Sequence, residues 1–378
     1  MTATWMRTVT AAAFLSAGLA SVEKSSAAIC VNEFDVTLFA RVWHVSSYFV
    51  QDDLLAAPQD DTFLEPEGLA FRNGVLYASG DREPDETDGR LAVYAYPPEG
   101  PLSFSGLLQM PNEPPNWWGP EGIAFNATGG GYGSGSMELV SVERDTPSRA
   151  GVIDLLSGTV SDLLLTDPLE DVTFLPGREE FAVLVDLGTS MRVALYDSTI
   201  MPTAADFAVL PGSNGLVGVG TAFGSWFTWT AQTQEMVLVV TKAAPGNAVA
   251  AYGLDGAPIG SVFHLPLEPK ARIPLGGGFY RLLPAFGTVE AVTVDEIHKT
   301  IFLGDEQNSM IHVLTGGLPA VDFNDDGSID LGDLVVFEAC LEGPGIAPTL
   351  ECTACDLDAD SDVDLADFSV FQAALGSG

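Results

Sequence analysis

From Ala28 to Leu318 the chain alternates apolar and polar residues in short runs, as in Leu91-Ala-Val-Tyr-Ala-Tyr96 and Val193-Ala-Leu-Tyr196. A period of two puts successive side chains on opposite faces, so these runs predict β-strands. Helical spacing is almost absent before residue 330. The runs also recur as a unit. Glu67-Gly-Leu-Ala-Phe71 precedes the apolar run Val75 to Gly80, which ends at Asp81. Glu121-Gly-Ile-Ala-Phe125 precedes Met137 to Glu143, and Glu170-Asp-Val-Thr-Phe174 precedes Phe181 to Asp186. Val219-Gly-Thr-Ala-Phe223 precedes Met236 to Thr241, and Glu290-Ala-Val-Thr-Val294 precedes Ile301 to Asp305 and Glu306. The first positions of these units are 54, 49, 49 and 71 residues apart.

About four strands in some 50 residues is the size of a β-propeller blade. The predicted fold is mainly β: a five- or six-bladed β-propeller over residues 29–318, with a β-sandwich as the second choice. Five units are clear. A sixth blade could come from Phe34–Val50, with the N-terminal strand closing the ring, and Leu267–Phe286 reads as an insertion or a degenerate blade. The 40 Gly and 24 Pro suit many tight turns. A residue recurring at the start of each innermost strand points to one mouth of the central channel. Glu67, Glu121, Glu170 and Glu290 are therefore candidates for an acidic ring. Such a ring could hold a calcium ion or take part in catalysis, or it could merely tie neighbouring blades together.

The pattern changes after residue 319. Asp322-Phe-Asn324-Asp-Asp326-Gly327-Ser328-Ile329-Asp330-Leu-Gly-Asp333 is repeated as Asp356-Leu-Asp358-Ala-Asp360-Ser361-Asp362-Val363-Asp364-Leu-Ala-Asp367. Side-chain oxygens at positions 1, 3, 5, 9 and 12 wrap a hard cation, and position 7 (Ser328, Asp362) adds its backbone carbonyl. The expected cofactor is Ca2+. An apolar helical run follows each loop, Leu334-Val-Val-Phe337 and Phe368-Ser-Val-Phe371. Position 6 favours a positive φ, so Ser361 in place of Gly327 predicts a weaker second site.

Residues 319–378 resemble a dockerin type I module, the duplicated calcium-loop–helix repeat, in the form found in secreted planctomycete-type proteins. The resemblance implies a docking function with a cohesin-like or cell-surface partner. Cellulosomal dockerins often carry Ser-Thr at positions 10 and 11; here these are Leu331-Gly332 and Leu365-Ala366. The middle region, roughly 60–315, resembles phytase-like propellers of the kind called esterase-like activity of phytase. The residues that carry this are Glu67 to Phe71, Glu121 to Phe125 and Glu290 to Val294. It implies a propeller with channel calcium and hydrolase activity on esters or phosphoesters.

The net charge is −37, and residues 319–378 hold fourteen Asp and Glu with no Lys or Arg. That excess argues against nucleic acid and anionic lipid as partners. Arg7, the apolar run Val9 to Ala20 and the small residues Ala17-Gly-Leu-Ala20 and Ser25-Ser-Ala-Ala28 make residues 1–28 a secretory leader. An exported, extracytoplasmic protein without a transmembrane segment is expected. Disulfides then become the default for Cys30, Cys340, Cys352 and Cys355. Cys340 can pair with Cys352 or Cys355, and Cys30 with the one left over. There is no G-x-S-x-G elbow and no H-E-x-x-H, and the four histidines (44, 264, 298, 312) are scattered. His298 and His312 read as surface or strand-end residues. The readings are, in order, a propeller that binds a small molecule or glycan and is carried on a calcium-dependent docking module; a calcium-dependent hydrolase of ester, phosphoester or glycosidic bonds, with polysaccharide degradation as one setting; and a structural surface protein.

Overall fold

The computed structural model describes most of the chain between Ser26 and Leu375. It leaves out residues 1–25, 51–65, 81–88, 111–119, 126–137 and 224–234, most of the two acidic loops (324–329, 358–361) and shorter turns. It forms five antiparallel blades. The chain enters through β1 (Ser26–Ala27), β2 (Cys30–Leu38) and β3 (Arg41–Phe49). Blade 1 is β4 (Gly68–Arg72), β5 (Val75–Ser79), β6 (Gly89–Ala95) and β7 (Ser103–Met110), with β1 paired on its outer edge. β1 falls inside the stretch read as leader. Blade 2 is β8 (Gly122–Phe125), β9 (Glu138–Glu143), β10 (Arg149–Asp154) and β11 (Val160–Leu164). Blade 3 is β12 (Leu169–Leu175), β13 (Glu180–Asp186), β14 (Met191–Tyr196) and β15 (Pro202–Leu210). Blade 4 is β16 (Leu216–Phe223), β17 (Glu235–Thr241), β18 (Ala248–Gly253) and β19 (Pro258–His264). A separate hairpin, β20 (Ala271–Gly276) and β21 (Phe279–Leu283), occupies the stretch read as an insertion.

Blade 5 is made from both ends of the domain. β22 (Val289–Asp295), β23 (Thr300–Asp305) and β24 (Met310–Pro319) continue into β3 and then β2. Phe34–Val50 therefore makes no sixth blade. Its two strands are the outer strands of the fifth, and β3 pairs with β24 from Met310↔Phe49 to Pro319↔Arg41. Pairing the first strands with the last leaves the ring no open seam.

Period-two alternation explains why the ring holds. On β9, Leu139 packs toward blade 1 beside Leu91, Met110 and Ile123, whereas Val140 and Val142 pack toward blade 3 beside Val172 and Phe181. On β13, Phe181 and Val183 face blade 2 while Ala182 and Leu184 face blade 4 with Val219 and Val237. Leu238 and Val249 of blade 4 meet Trp43, Phe286 and Leu303. Phe302 and Ile311 of blade 5 meet Leu76 and Tyr94 of blade 1, which completes the circle. Each fully buried Leu, Val or Phe contributes about 1.5–3 kcal/mol relative to exposure. At the axis the inner strands approach so closely that a Cβ on Gly68 would collide with the Glu121 carbonyl, and one on Gly218 with that of Glu290.

The C-terminal part holds the only helices among the described residues, α1 (Leu331–Cys340) and α2 (Leu365–Leu375). Neither is long and apolar enough to cross a membrane. Their shared core is small: Val321, Phe337, Cys340, Cys355, Val363 and Phe371, flanked by Phe323, Leu334 and Phe368. Phe337 and Phe371 stack with ring centroids 5.4 Å apart.

Candidate functional site

The two loop–helix repeats end in the same construction. Asp330, at position 9, is the N-cap of α1: its Oδ1 accepts from Gly332 N at 2.6 Å. Asp333, at position 12, returns the bond, its Oδ2 accepting from Asp330 N at 2.8 Å. In the second repeat Asp364 Oδ1 accepts from Ala366 N at 2.6 Å and Asp367 Oδ2 from Asp364 N at 2.8 Å. A reciprocal capping box satisfies two N-terminal donors and contributes about 1 kcal/mol. Asp367 also closes the loop, with Oδ1 accepting from Leu357 N at 2.6 Å. Asp333 and Asp367 are fully buried.

Asp362, Asp364 and Asp367 each bring an oxygen within 4.8 Å of the others. Three carboxylates, two buried (Asp362, Asp367) and one half-buried (Asp364), with oxygen donors and no thiol or imidazole, suit calcium rather than a softer metal. Each carboxylate oxygen has a second lone pair beyond its backbone bond. The residues present therefore fit the ion that the loop spacing implies. At position 7, Asp362 also accepts from Gly345 N at 2.6 Å through Oδ2, tying the inter-loop linker to the second loop. Asp322, Asn324, Asp326, Ser328, Asp356, Asp358 and Asp360 lie outside the described residues.

Cys340 pairs with Cys352, which resolves one of the two pairings left open. The bridge spans 12 residues and limits the unfolded linker, an effect of about 3 kcal/mol. The remaining cysteine, expected to pair with Cys30, is unpaired. Cys355 is a free thiol inside the module core, beside Phe337 and Phe371. Burial first, and the charge of Asp367 second, push its pKa up to about 11.

In the propeller the four recurring glutamates do not all gather into one cluster among the described residues. Glu67 and Glu290 converge with Glu306, their oxygens within 4.8 Å, at the seam of blades 1 and 5. Glu121 and Glu170 do not join them. Blade 4 has no acid in the slot, and its register differs from the sequence alignment. A bulge between Leu216 and Gly218 makes Gly218, opposite Val240, the counterpart of Gly68 opposite Ser79. The residue matching Glu67 is thus Val217, two before Val219. On the second strands Glu143 and Asp305 share a slot, but Asp186 falls one residue later.

The sequence alignment passed over Asp171. It occupies the slot that is Gly68, Gly122 and Gly218 in other blades, and it is fully buried. Its Oδ1 accepts from Val172 N at 2.7 Å, and its Oδ2 crosses to blade 4 to accept from Val219 N at 2.8 Å. Burial pushes its pKa well above the ordinary carboxylate value, opposed by the two N–H bonds and reinforced by nearby Glu170.

A second buried network sits in blade 5. His312 is fully buried in β24, not at a strand end as expected. One ring nitrogen, Nδ1, lies 2.8 Å from Ser47 Oγ on β3, and Nε2 lies 3.0 Å from Asp305 Oδ2. Asp305 also accepts from Gly287 N, Thr288 N, Asn308 N and Asn308 Nδ2. These are the residue types of a nucleophilic triad. However, Ser47, His312 and Asp305 are all fully buried, so no substrate reaches the hydroxyl. The network clasps the N-terminal strand to the C-terminal one. His298 does match its expectation: it is exposed in the β22–β23 turn, with Nδ1 2.5 Å from Asp295 Oδ2.

A narrow cavity lies at the propeller axis. All five blades line it, through Leu69 to Arg72, Ile123 to Phe125, Val172 to Phe174, Val219 and Val292 to Val294.

Residues 320–376 match the family described as Dockerin type I domain. No curated protein matches the chain. Among solved structures, an auxiliary nutrient binding protein from Bacteroides thetaiotaomicron aligns at 11% identity over 72% of this chain and 76% of its own, with a TM-score of 0.40. The nidogen/laminin complex aligns at 12% identity over 74% and 88%, with a TM-score of 0.38. The Neurospora crassa Pan2 WD40 domain aligns at 11% over 76% and 89%, with a TM-score of 0.35. Scores this low carry no argument about function. The architecture and the family match together identify the chain as a five-bladed β-propeller followed by a C-terminal dockerin type I domain.

Proposed function

We propose that the chain is an exported ligand-binding propeller carried on a calcium-ordered docking module. The observation that carries this is the duplicated position-12 carboxylate: Asp333 and Asp367 are both fully buried and both tied back to position 9. Such a carboxylate is costly to bury unless its charge is offset, and a cation in the adjoining loop offsets it. Calcium would thus order each helix start.

The docking surface is apolar. Leu331 and Leu365, both at position 10, are 69% and 72% exposed, and Val335, one turn along α1, is 66% exposed. A protein partner that meets this face buries aliphatic side chains rather than reading hydroxyls. This favours a cohesin-like partner with an apolar contact surface.

Calorimetric titration of the full chain with calcium tests the reading. Two binding events are expected, the tighter at the first loop because Gly327 takes the turn position that Ser361 strains by about 1 kcal/mol. Asp322→Ala should remove the tighter event. An unchanged titration would sink the loop assignment. The hydrolase reading rests on Glu67, Glu290 and Glu306 at the channel seam. Calcium-dependent turnover of an ester, phosphoester or glycoside panel by the full chain, lost in Glu290→Gln, would replace ligand binding with catalysis.

A further inference from the structure

The C-terminal module holds a disulfide and a thiol side by side. Cys340, the last residue of α1, is joined to Cys352 with Cα atoms 5.3 Å apart. Cys355 is free and 1% exposed. All three share one core: Cys340 and Cys355 lie among Val321, Phe337, Val363 and Phe371, and Cys352 packs against them. Cys352 and Cys355 both have 3₁₀ backbone, and the Cys352 N–H donates to the Thr349 carbonyl three residues back. In that geometry the chain rises about 2.0 Å per residue and turns once in three, so residues three apart lie in line with Cα atoms about 6 Å apart. A disulfide takes Cα separations of about 4.4–6.8 Å. Cys352 therefore has a cysteine within bridging reach on either side, Cys340 across the linker and Cys355 along the chain.

The second acidic loop holds both the thiol and the linker in place. Cys355 directly precedes Asp356, position 1 of that loop. Asp367, position 12, closes the loop on Leu357 N at 2.6 Å, two residues beyond the thiol. The linker is tied to the same loop: Glu342 N and Gly343 N donate to the Val363 carbonyl, and Gly345 N to Asp362 Oδ2. A closed loop thus keeps Cys355 in the core and the linker folded back, which suits the bridge spanning 12 residues. An open loop releases both. In a loosened chain a bridge between near neighbours costs less closure entropy than one across the linker.

We infer that the module contains a calcium-gated disulfide exchange: with the second loop open, the Cys355 sulfur displaces Cys340 from Cys352, and the bridge moves from the linker into the Cys352–Cys355 turn. Cys355 gives its proton to solvent and its sulfur bonds to Cys352 Sγ. The Cys340–Cys352 bond breaks with its electron pair on Cys340, which takes up a proton. One disulfide and one thiol are present before and after, so the step needs no oxidant or reductant. The product unties α1 from the second repeat, which makes loss of calcium a covalent change. The inference rests on the calcium reading of the module.

The test locates the free thiol. The full chain is incubated without added thiol or oxidant at about pH 8, where an exposed thiol is partly ionised, once with calcium and once with chelator. Acid stops the exchange, N-ethylmaleimide labels free thiols in mildly acidic denaturant, and mass spectrometry of chymotryptic peptides places the label. With calcium it should sit on Cys355. With chelator it should pass to Cys340, with Cys352 joined to Cys355. Cys355→Ser should leave Cys340 unlabelled in chelator, and the comparison within the parent chain needs no variant. Chymotrypsin cleavage of the undenatured samples at Phe337 and Phe371 reports whether the module opens. Opening on chelation with the label still on Cys355 would overturn the exchange and leave the calcium reading standing. Cleavage and label both indifferent to chelator would overturn the two together. Label on Cys340 in calcium as well would overturn the gate, and label on Cys352, or Cys355 found bonded to Cys30, would overturn the assigned exchange.

Discussion

The propeller and the C-terminal module draw their order from different sources. The propeller has five apolar interfaces, one between each pair of neighbouring blades, and every blade contributes to two of them. The module has one small core of six buried residues, with aromatic rings at its centre. A core that small does not outweigh chain entropy without reinforcement. Its reinforcements are the 340–352 disulfide, the capping boxes and, in our reading, calcium. Repetition therefore serves different ends in the two parts. Repeated apolar alternation makes a ring packed through a hydrophobic cluster at each blade interface. Repeated carboxylate spacing makes a module whose order, in our proposal, depends on an ion.

The sharpest way to break this contrast is inside the propeller. Asp305→Ala removes the acceptor for five donors, among them the buried His312 ring. The loss should be about 3–5 kcal/mol, the range for breaking a buried charged network. The melting midpoint of the propeller should fall, while the calcium titration of the module stays as in the parent chain.

Cys352→Ser makes the complementary test. It should cost the module about 3 kcal/mol from loop entropy and leave the propeller transition in place. Chymotrypsin digestion at Phe337 and Phe371 reads this directly. Trypsin does not, because residues 319–378 contain no Lys or Arg.

Asp171→Ala should have the smallest effect. The Val219 N–H loses its buried acceptor across blades 3 and 4, a cost of about 1–3 kcal/mol. The pH dependence carries its own sign. Because the folded-state pKa is raised, the native protein holds a proton that the unfolded chain releases at about pH 3.9. Stability contributed by this group is therefore fully present below that pH and is lost as pH rises through the folded value. The variant should show a flatter melting profile over the same window.

Much of the architecture is legible in the sequence because it is local. Five strand units and two loop–helix repeats can be read from spacing alone, and so can the hairpin at Leu267–Phe286 as an interruption. What the sequence hides is set by distant partners. Ser47 and His312 are 265 residues apart and meet only because β3 pairs with β24. This pairing also explains why Phe34–Val50 completes a blade instead of founding one. Asp171 is hidden for another reason: its slot reads as glycine in three blades, so an alignment keyed on glutamate passes over it. Glu306 joins Glu67 and Glu290 through the seam of the ring, which no single repeat encodes. In blade 4 one bulge shifts the register, and apolar residues on both sides hide the shift.

The central claim is that calcium orders the module and apolar packing orders the propeller. Differential scanning calorimetry of the full chain, with calcium and again with excess chelator, tests it most directly. The account predicts that chelation lowers or abolishes the module transition alone and leaves the propeller transition where it was. A module transition that does not move on chelation, or two transitions that move together, would contradict it.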